Sequence, residues 1–318
     1  MSFAMVFPGQ GSQCVGMLSG LASEPAVRAT FSEASAVLGY DLWQLIQSGP
    51  EAQLHATERT QPAMLAAGVA VWRVWSERGG SQPSEVSGHS LGEFTALSCA
   101  GTFEFAAAVE LVRDRGRLMQ EAVPVGVGAM AAVLGLEDDQ VSQACAQAAQ
   151  GAVVEAVNFN SPGQVVIAGE KAAVERAIEA AKRLGAKRAV VLPLSVPSHS
   201  SLMRSAGTPF AQKLRSVAMQ APRIPYRSAV DAKVHRETED LRDLLVRQLA
   251  SPVRWTDTVR AIAASGVRQI IECGPGKVLT ALNRRIERRP DLQCLAIDDV
   301  ATIDAARAAL QAAGDSHA

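Results

Sequence analysis

The residues best suited to chemistry in this chain are a serine and its two flanking glycines, in the sequence Gly88-His89-Ser90-Leu91-Gly92. Their spacing fits the Gly-x-Ser-x-Gly elbow, in which a sharp turn from strand to helix presents a serine hydroxyl at the rim of a sheet. Glycine is favoured on both sides because the turn brings main chain against main chain. The pattern therefore predicts a serine nucleophile, and its alternative interpretation is a glycine-bounded turn with a serine cap.

The sequence after the elbow supports the predicted serine turn, whereas the sequence before it does not. Leu91, Phe94 and Leu97 recur at helical spacing, so Ser90 is expected at a helix N-terminus, where the dipole favours developing negative charge. The preceding segment, Pro83–Ser87, is by contrast polar for a buried strand.

A base for this serine must come from only five histidines. His199 lies in the Pro/Ser-rich loop Val196–Ser200, where two parts of the chain rejoin, and ligand sites concentrate in interdomain clefts. The other four are less suitably placed. His55 and His235 have polar surroundings, His317 lies in the C-terminal tail, and His89 is next to the serine itself. His199 is therefore the favoured base.

Two further segments could contribute polar groups to a site. The turn Pro8–Gln13 lacks the lysine of a P-loop and the spacing of a dinucleotide fingerprint, so it is better suited to direct an amide into a cleft. The predicted helix Phe103–Met119 carries Arg113, Arg115 and Arg117, and its periodicity does not show which of them faces a cleft.

Composition describes an ordinary globular protein. The 318 residues are 48% hydrophobic and 20% charged, with a net charge of −1, which predicts no global attraction to nucleic acid or to a membrane surface. The five cysteines are irregularly spaced without a Cys-x-x-Cys pair, which argues against a disulfide framework and a structural zinc site. Without a secretory signal or an apolar stretch of about 20 residues, a cytoplasmic location is expected.

The middle of the chain has the periodicity of a separate small domain. A strand at 128–134, a helix at 138–149, strands at 153–159 and 164–168, a helix at 170–184 and a strand at 188–192 follow in the order βαββαβ. That order is typical of a ferredoxin-like unit. We expect it to span residues 127–195, inserted into a discontinuous large domain of residues 1–126 and 196–318.

The outer segments alternate strand, glycine-rich turn and helix. The first strand runs into Pro8-Gly9, and residues 267–273 form a strand that runs into Gly274-Pro275-Gly276 and a helix. Helices are also predicted at 30–47 and 61–75, the second with Pro62 near its start. This alternation predicts an α/β fold with a mostly parallel sheet covered by helices.

Taken together, the motifs resemble those of the malonyl-CoA:acyl carrier protein transacylase family, the acyltransferases of fatty-acid and polyketide synthesis. The likeness spans nearly the whole chain and follows the family's order, in segments 7–13, 60–63, 88–93, 115–120, 158–164, 196–200 and 274–279. The joint occurrence of these motifs is far more specific than any one of them. The family's fold implies an α/β-hydrolase-like large domain beside the ferredoxin-like small one.

The resemblance assigns a role to each matching residue. Ser90 would be the nucleophile and His199 the base, with the histidine held by the main-chain carbonyl of Gln248. The backbone amides of Gln10 and Leu91 would bind the oxyanion. The resemblance also selects Arg115 to bind the malonyl carboxylate. Gln61 would help to position the same acyl arm, and Asn158 and Asn160 could line the pantetheine tunnel.

The implied reaction is ping-pong. Malonyl-CoA would acylate Ser90, CoA would leave, and the phosphopantetheine thiol of holo-acyl carrier protein would accept the malonyl group. No permanently bound cofactor or metal is expected, and the protein is expected to be a monomer. Carrier proteins are acidic, so a basic rim is expected, for which Arg284, Arg285 and Lys187 are candidates.

Three alternatives stay open at this stage. A serine esterase or thioesterase would use the same elbow, and a non-catalytic subunit would only dock the carrier protein. The transacylase subunit of malonate decarboxylase, or a domain of polyketide assembly, would perform the same chemistry on another carrier. The choice between malonyl and methylmalonyl groups is also open.

Overall fold

A computed structural model describes residues 2–194 and 196–315, arranged around two sheets. Residue 195, at the predicted domain boundary, and His317 lie outside the described residues. The larger sheet has six strands in the order β10-β9-β1-β2-β7-β8. Their bounds are β1 Phe3–Phe7, β2 Glu85–Gly88, β7 Tyr226–Arg227, β8 Val234–His235, β9 Gln269–Cys273 and β10 Gln293–Ile297.

The centre of this sheet is parallel, as the sequence predicts. Strand β1 is an unbroken apolar run, buried at all five positions, and pairs in parallel with both β2 and β9. Only the short edge strand β8 is antiparallel to its neighbour. Strands buried on both faces read as continuous hydrophobic runs, which is why β1 was recognisable from its sequence.

Helices cover the large sheet. They are α1 Pro25–Leu38, α2 Leu42–Ser48, α3 Glu51–Leu54, α4 Thr57–Glu77, α5 Gly92–Cys99, α6 Phe105–Ala122, α9 Arg204–Arg215, α10 Thr238–Arg247, α11 Trp255–Ala264, α12 Val278–Ile286 and α13 Val300–Asp315, with α7 and α8 in the smaller unit. Short 3-10 turns lie at Ser19–Leu21, Ser201–Met203 and Gln248–Ala250. The last of these carries a residue of the candidate site.

Two helix predictions need correction. The single segment predicted at 30–47 is broken by Gly39, whose φ of 76° is left-handed and ends α1 before α2 begins. The helix predicted from 61 begins one turn earlier, because the Ala56 carbonyl already accepts the amides of Arg59 and Thr60. Pro62 therefore lies inside α4 rather than at its start.

The smaller unit has the predicted βαββαβ order. Its elements are β3 Gly128–Leu134, α7 Asp138–Ala149, β4 Val154–Ser161, β5 Gln164–Glu170, α8 Lys171–Arg183 and β6 Arg188–Val191. The four strands form an antiparallel sheet in the order β4-β5-β3-β6. The helices pack on it around a hydrophobic cluster of their own. Strand β4 also contacts the segment before α11, where the Val253 amide donates to the Val157 carbonyl.

The polar strand before the elbow is buried, and its polarity is compensated. All four residues of β2 are buried. The Glu85 carboxylate accepts hydrogen bonds from Arg227 Nε at 2.7 Å and from Ser265 Oγ at 2.5 Å. A buried charge is tolerated when it is paired and hydrogen-bonded in this way, so the segment's composition does not argue against a strand.

None of the helices in the described part of the chain has the length and apolar character needed to cross a membrane.

Candidate active site

Ser90 lies at the turn between β2 and α5, in a backbone conformation that requires both flanking glycines. Its φ is 53°, which is unusual for any residue other than glycine. A Cβ on Gly92 would lie 2.0 Å from the Phe7 carbonyl oxygen, and one on Gly88 would lie 2.0 Å from the Gly92 carbonyl carbon. The close approach of three main-chain segments therefore lifts the serine hydroxyl into a cleft.

His199 contacts the serine directly. Its Nε2 lies 2.7 Å from Ser90 Oγ, and its Nδ1 lies 2.8 Å from the main-chain oxygen of Gln248. A carbonyl oxygen can only accept, so Nδ1 carries the proton and Nε2 is free to accept from the serine hydroxyl. The loop is fixed at this point, because the His199 amide also donates to the Leu249 carbonyl at 3.1 Å.

The electrostatics of the site keep His199 neutral. The ring is buried, and burial together with the nearby Arg115 charge lowers the pKa of His199 to about 3. Both effects disfavour the imidazolium form. At neutral pH the imidazole therefore carries no second proton and can act as a base.

The Arg115 side chain reaches the same point from helix α6. It is only 1% exposed, and its Nη1 and Nη2 donate to Gln61 Oε1 and Gln248 Oε1, both at 2.8 Å. Nη2 lies 3.5 Å from Ser90 Oγ, and the guanidinium carbon lies 5.3 Å from the centre of the Phe94 ring.

The Arg115 charge lacks a direct carboxylate partner among the described residues. Its Nε also has no hydrogen-bond partner there. Burial lowers the pKa of Arg115 to about 10, and the Glu93 charge opposes that change, so the guanidinium stays protonated at neutral pH. A buried cation whose described acceptors are neutral oxygens is suited to bind an anionic ligand.

Gln248 joins these groups. Its main-chain oxygen holds His199, its side-chain Oε1 accepts from Arg115, and its Nε2 donates to the main-chain oxygen of Ser90 at 2.9 Å. The same Nε2 also donates to Glu93 Oε2. One buried glutamine in a 3-10 turn thus fixes the base, the guanidinium and the elbow relative to one another.

The two residues predicted to bind an oxyanion lie at the same cavity as the nucleophile. Gln10 and Leu91 both line the small cavity that contains Ser90 and His199. Over the ranges that the structure describes, neither amide donates to another protein group. Unpaired amides beside a nucleophile are the usual donors of an oxyanion hole.

The candidate site lies in a cleft between the two sheets. A cavity of about 40 Å³ at Ser90 and Arg115 joins a larger one of about 340 Å³, with Gln10, Asn158 and Leu194 lining both. Asn160 lines the larger cavity, and its Oδ1 lies 2.8 Å from His89 Nε2. In the described structure Asn158 Oδ1 is buried without a partner. Both predicted asparagines therefore line the larger cavity.

Most of the other candidate cations already have ion-pair or hydrogen-bond partners within the protein. Arg113 pairs with Glu110 and Asp114, and Arg117 with Glu121, on the outer side of α6. The three candidates for a basic rim, Arg284, Arg285 and Lys187, are all exposed. Arg285 Nη1 donates to Gln164, which lines the larger cavity, whereas Arg284 Nη2 donates to the Cys294 carbonyl.

Sequence reasoning missed two residues that support the site. Glu93, in the first turn of α5, is 1% exposed and accepts four hydrogen bonds, one of them from Gln248. Phe94 supplies the ring beside Arg115. A carboxylate within an otherwise apolar, core-facing helix was the available signal for Glu93, because such groups are buried only when paired.

Comparison with known proteins identifies the family. The family model described as acyl transferase domain matches residues 4–302. The malonyl CoA-acyl carrier protein transacylase of Salmonella typhimurium is 54% identical over 305 residues, covering 96% of this chain and 98% of the relative. That of Bacillus subtilis is 41% identical, covering 98% of both.

Solved structures agree in fold. An acyl carrier protein S-malonyltransferase from Vibrio cholerae is 55% identical, with a TM-score of 0.93 over 96% of this chain and 100% of its own. A malonyl-transacylase solved in complex with its type II polyketide acyl-carrier protein is 54% identical, with a TM-score of 0.94 over 96% of this chain and 99% of its own. On these matches, this chain belongs to the acyl transferase domain family and is an acyltransferase.

Proposed function

We propose that this protein transfers the malonyl group from malonyl-CoA to the phosphopantetheine thiol of holo-acyl carrier protein. The observation that carries the proposal is the Arg115 guanidinium, buried without a carboxylate partner in the described structure and 3.5 Å from the Ser90 hydroxyl. An acyl group bound to Ser90 would have its distal end at this cation. A carboxylate there would form charge-assisted hydrogen bonds, whereas an acetyl group would leave the charge uncompensated.

Acylation begins with the Ser90–His199 pair. As Ser90 Oγ attacks the thioester carbonyl carbon, the hydroxyl proton passes to His199 Nε2, which lies 2.7 Å away. The carbonyl oxygen becomes an oxyanion held by the Gln10 and Leu91 amides. When the tetrahedral intermediate collapses, the carbon–sulfur bond breaks and His199 returns the proton to the departing thiolate of CoA.

The substrate carboxylate also helps the base. The positive charge of Arg115 contributes to the low pKa of His199. A bound malonyl carboxylate offsets that charge, so it favours the imidazolium that forms during proton transfer. An acetyl group offers no such compensation. Recognition by Arg115 is therefore coupled to catalysis at His199.

The second half-reaction reverses the first with another thiol. The pantetheine thiol of the carrier protein gives its proton to His199 and attacks the malonyl ester, and Ser90 regains a proton as the ester bond breaks. Asn158 and Asn160 are proposed to line the path of the pantetheine arm, and Gln61 to position the malonyl group through Arg115. No bound cofactor or metal takes part.

The remaining proposals concern context. The large domain, of residues 1–126 and 196–318, is proposed to be α/β-hydrolase-like, and the small domain, of residues 127–195, is proposed to be ferredoxin-like. The protein is proposed to act as a cytoplasmic monomer in fatty-acid synthesis. A polyketide carrier is the second candidate, because a relative 54% identical was solved with a type II polyketide carrier protein.

The test is intact-mass measurement after brief mixing with malonyl-CoA or acetyl-CoA, for the wild type and Ser90→Ala. A malonyl adduct on the wild type alone, and only from malonyl-CoA, is the expected result. Release of CoA and malonate without a retained adduct would favour a thioesterase. Absence of both adduct and CoA release would overturn the proposal.

A further inference from the structure

Glu93 occupies a buried position that the transfer reaction does not itself explain. Its Oε1 accepts hydrogen bonds from Tyr226 Oη at 2.6 Å, Ser228 Oγ at 2.9 Å and the Ala229 amide at 2.6 Å. Its Oε2 accepts from Gln248 Nε2. Every group that contacts the carboxylate is thus a donor. Such a set satisfies an ionised carboxylate and leaves no position for an amide at residue 93 without rearrangement.

This arrangement determines the orientation of the Gln248 side-chain amide. An amide has a donor end and an acceptor end, and the two ends are exchanged when the group turns over. Because Glu93 can only accept, it holds the NH2 end of Gln248 towards itself. The oxygen end is therefore left to accept from Arg115 Nη2 at 2.8 Å. With the amide turned over, two donors would face each other at that contact.

We propose that Glu93 is a positioning residue for substrate selection: its carboxylate fixes the orientation of the Gln248 amide, which in turn holds the Arg115 guanidinium in place for the substrate carboxylate. This inference rests on the proposed function, since it assigns Glu93 a part in malonyl recognition. Glu93 touches neither the nucleophile's hydroxyl nor the base. Its side-chain contact with the site passes through Gln248, and its charge also acts on Arg115 from a distance.

Replacement of Glu93 by glutamine tests this chain of contacts. The Ala229 amide is fixed in the backbone and needs an acceptor, so the oxygen of the new side chain would turn towards it and towards the two hydroxyls. The NH2 of the new side chain would then face the NH2 of Gln248, and relief of this donor–donor contact would turn the Gln248 amide over, with loss of its hydrogen bond to the Ser90 main-chain oxygen. Arg115 would lose one acceptor and meet a donor instead.

The measured quantities are kcat and KM for acyl transfer from malonyl-CoA and acetyl-CoA. For Glu93→Gln, the malonyl-to-acetyl ratio of kcat/KM should fall by about tenfold or more, since a hydrogen bond to a charged group is lost. The fall should lie mainly in KM for malonyl-CoA, with acetyl transfer changed by less than about threefold. A merely structural role would lower both substrates' kcat/KM together.

Glu85→Gln is the matched control. It also converts a buried carboxylate into an amide, on the strand β2 that leads into the same elbow. The Glu85 carboxylate, however, pairs with Arg227 and accepts from Ser265, and it does not contact Gln248. The variant should reduce thermal stability and leave the malonyl-to-acetyl ratio within about twofold. A ratio that changes equally in both variants would overturn the proposal.

Gln248→Met tests the second contact of the proposal, from Gln248 to Arg115, and remains available if Glu93→Gln does not fold. It removes the side-chain amide at nearly constant volume and keeps the main-chain oxygen that holds His199. It should show the same loss of malonyl preference. Unchanged preference in either folded variant overturns the inference. A wild type that forms no malonyl adduct overturns instead the proposed function, so the two failures are distinguishable.

Discussion

Replacing Arg115 by methionine removes the guanidinium, whose carbon lies 5.3 Å from the centre of the Phe94 ring, and keeps an unbranched apolar side chain at this position. The guanidinium is proposed to bind the malonyl carboxylate through two parallel hydrogen bonds. Each such bond to a charged group contributes about 1.5–3 kcal/mol, so both together contribute about 3–6 kcal/mol. The expected loss in kcat/KM for malonyl-CoA is therefore about 10²-fold to 10⁴-fold.

The value of kcat/KM for acetyl-CoA should not fall in this variant. In the wild type an acetyl group would leave the Arg115 charge buried without a counter-ion, which is a penalty that methionine removes. The value of kcat/KM for acetyl-CoA should therefore stay constant or rise in Arg115→Met. The assay is single-turnover acylation followed by intact mass, run with each donor separately, so that the acyl-serine itself is measured.

Arg113→Met is the matched control, because it removes an arginine two positions earlier on the same helix. Its side chain pairs with Glu110 and Asp114 and is 35% exposed. It should change neither donor's kcat/KM by more than about twofold. If Arg115→Met lowered acetyl and malonyl transfer equally, Arg115 would be needed to organise Ser90 rather than to select the acyl group, and the reasoning would be refuted.

Three other outcomes follow from the structure. Because the pKa of His199 is lowered from 6.5 to about 3, the unfolded chain binds more protons between these values. The free energy of unfolding should therefore fall as the pH is lowered from about 6.5. The fall should be steeper in the wild type than in His199→Gln, by up to about 1.4 kcal/mol per pH unit, as measured by urea unfolding at several pH values. Gly92→Ala should destabilise by about 3 kcal/mol or more, because its Cβ would lie 2.0 Å from the Phe7 carbonyl oxygen. Gly207 lies inside α9, and its added Cβ would meet only Val246 Cγ1 of α10, at 3.9 Å, so Gly207→Ala should be neutral or stabilising in the same thermal scan. Brief iodoacetamide treatment of the native protein should modify Cys14 alone, since the other four cysteines are buried, and a second modified thiol on peptide mapping would contradict the described packing.

Much of the fold was predictable because its signals are local. The apolar run of β1, the alternating elements of the small unit and the glycines of the elbow each carry their own periodicity or steric requirement. Helix ends were less predictable where several weak signals competed. Pro62 is favoured near a helix start, yet the Arg59 and Thr60 amides donate to the Ala56 carbonyl, so that α4 begins at Thr57, before the proline.

The site was predictable only in part, for a different reason. Ser90 could be found from its spacing and His199 from its position, but periodicity did not separate Arg115 from Arg113 and Arg117. What distinguishes Arg115 is its contact with Gln61 and Gln248, which are 54 and 133 residues away along the chain. Contacts over such separations leave no local pattern, so Arg115 was selected by family resemblance.

The role of Glu93 could not be predicted from the sequence for the same reason. Its position within the elbow motif was visible, but its hydrogen bonds to Tyr226 and Gln248 join residues 133 and 155 positions away. Only the fold brings them together. The polar strand β2 was misleading for a related reason, because Glu85 meets its partner Arg227 across 142 residues.

The most direct measurement of the central claim follows the acyl group itself. The wild type would be loaded with malonyl-CoA, freed of CoA by rapid desalting, and mixed with holo-acyl carrier protein or with buffer alone. Intact mass of both proteins should show the malonyl group leaving Ser90 and appearing on the carrier protein, with the adduct stable in buffer over the same time. Loss of the adduct as free malonate at the same rate in both mixtures, with the carrier protein unmodified, would contradict a transferase acting through a malonyl-serine.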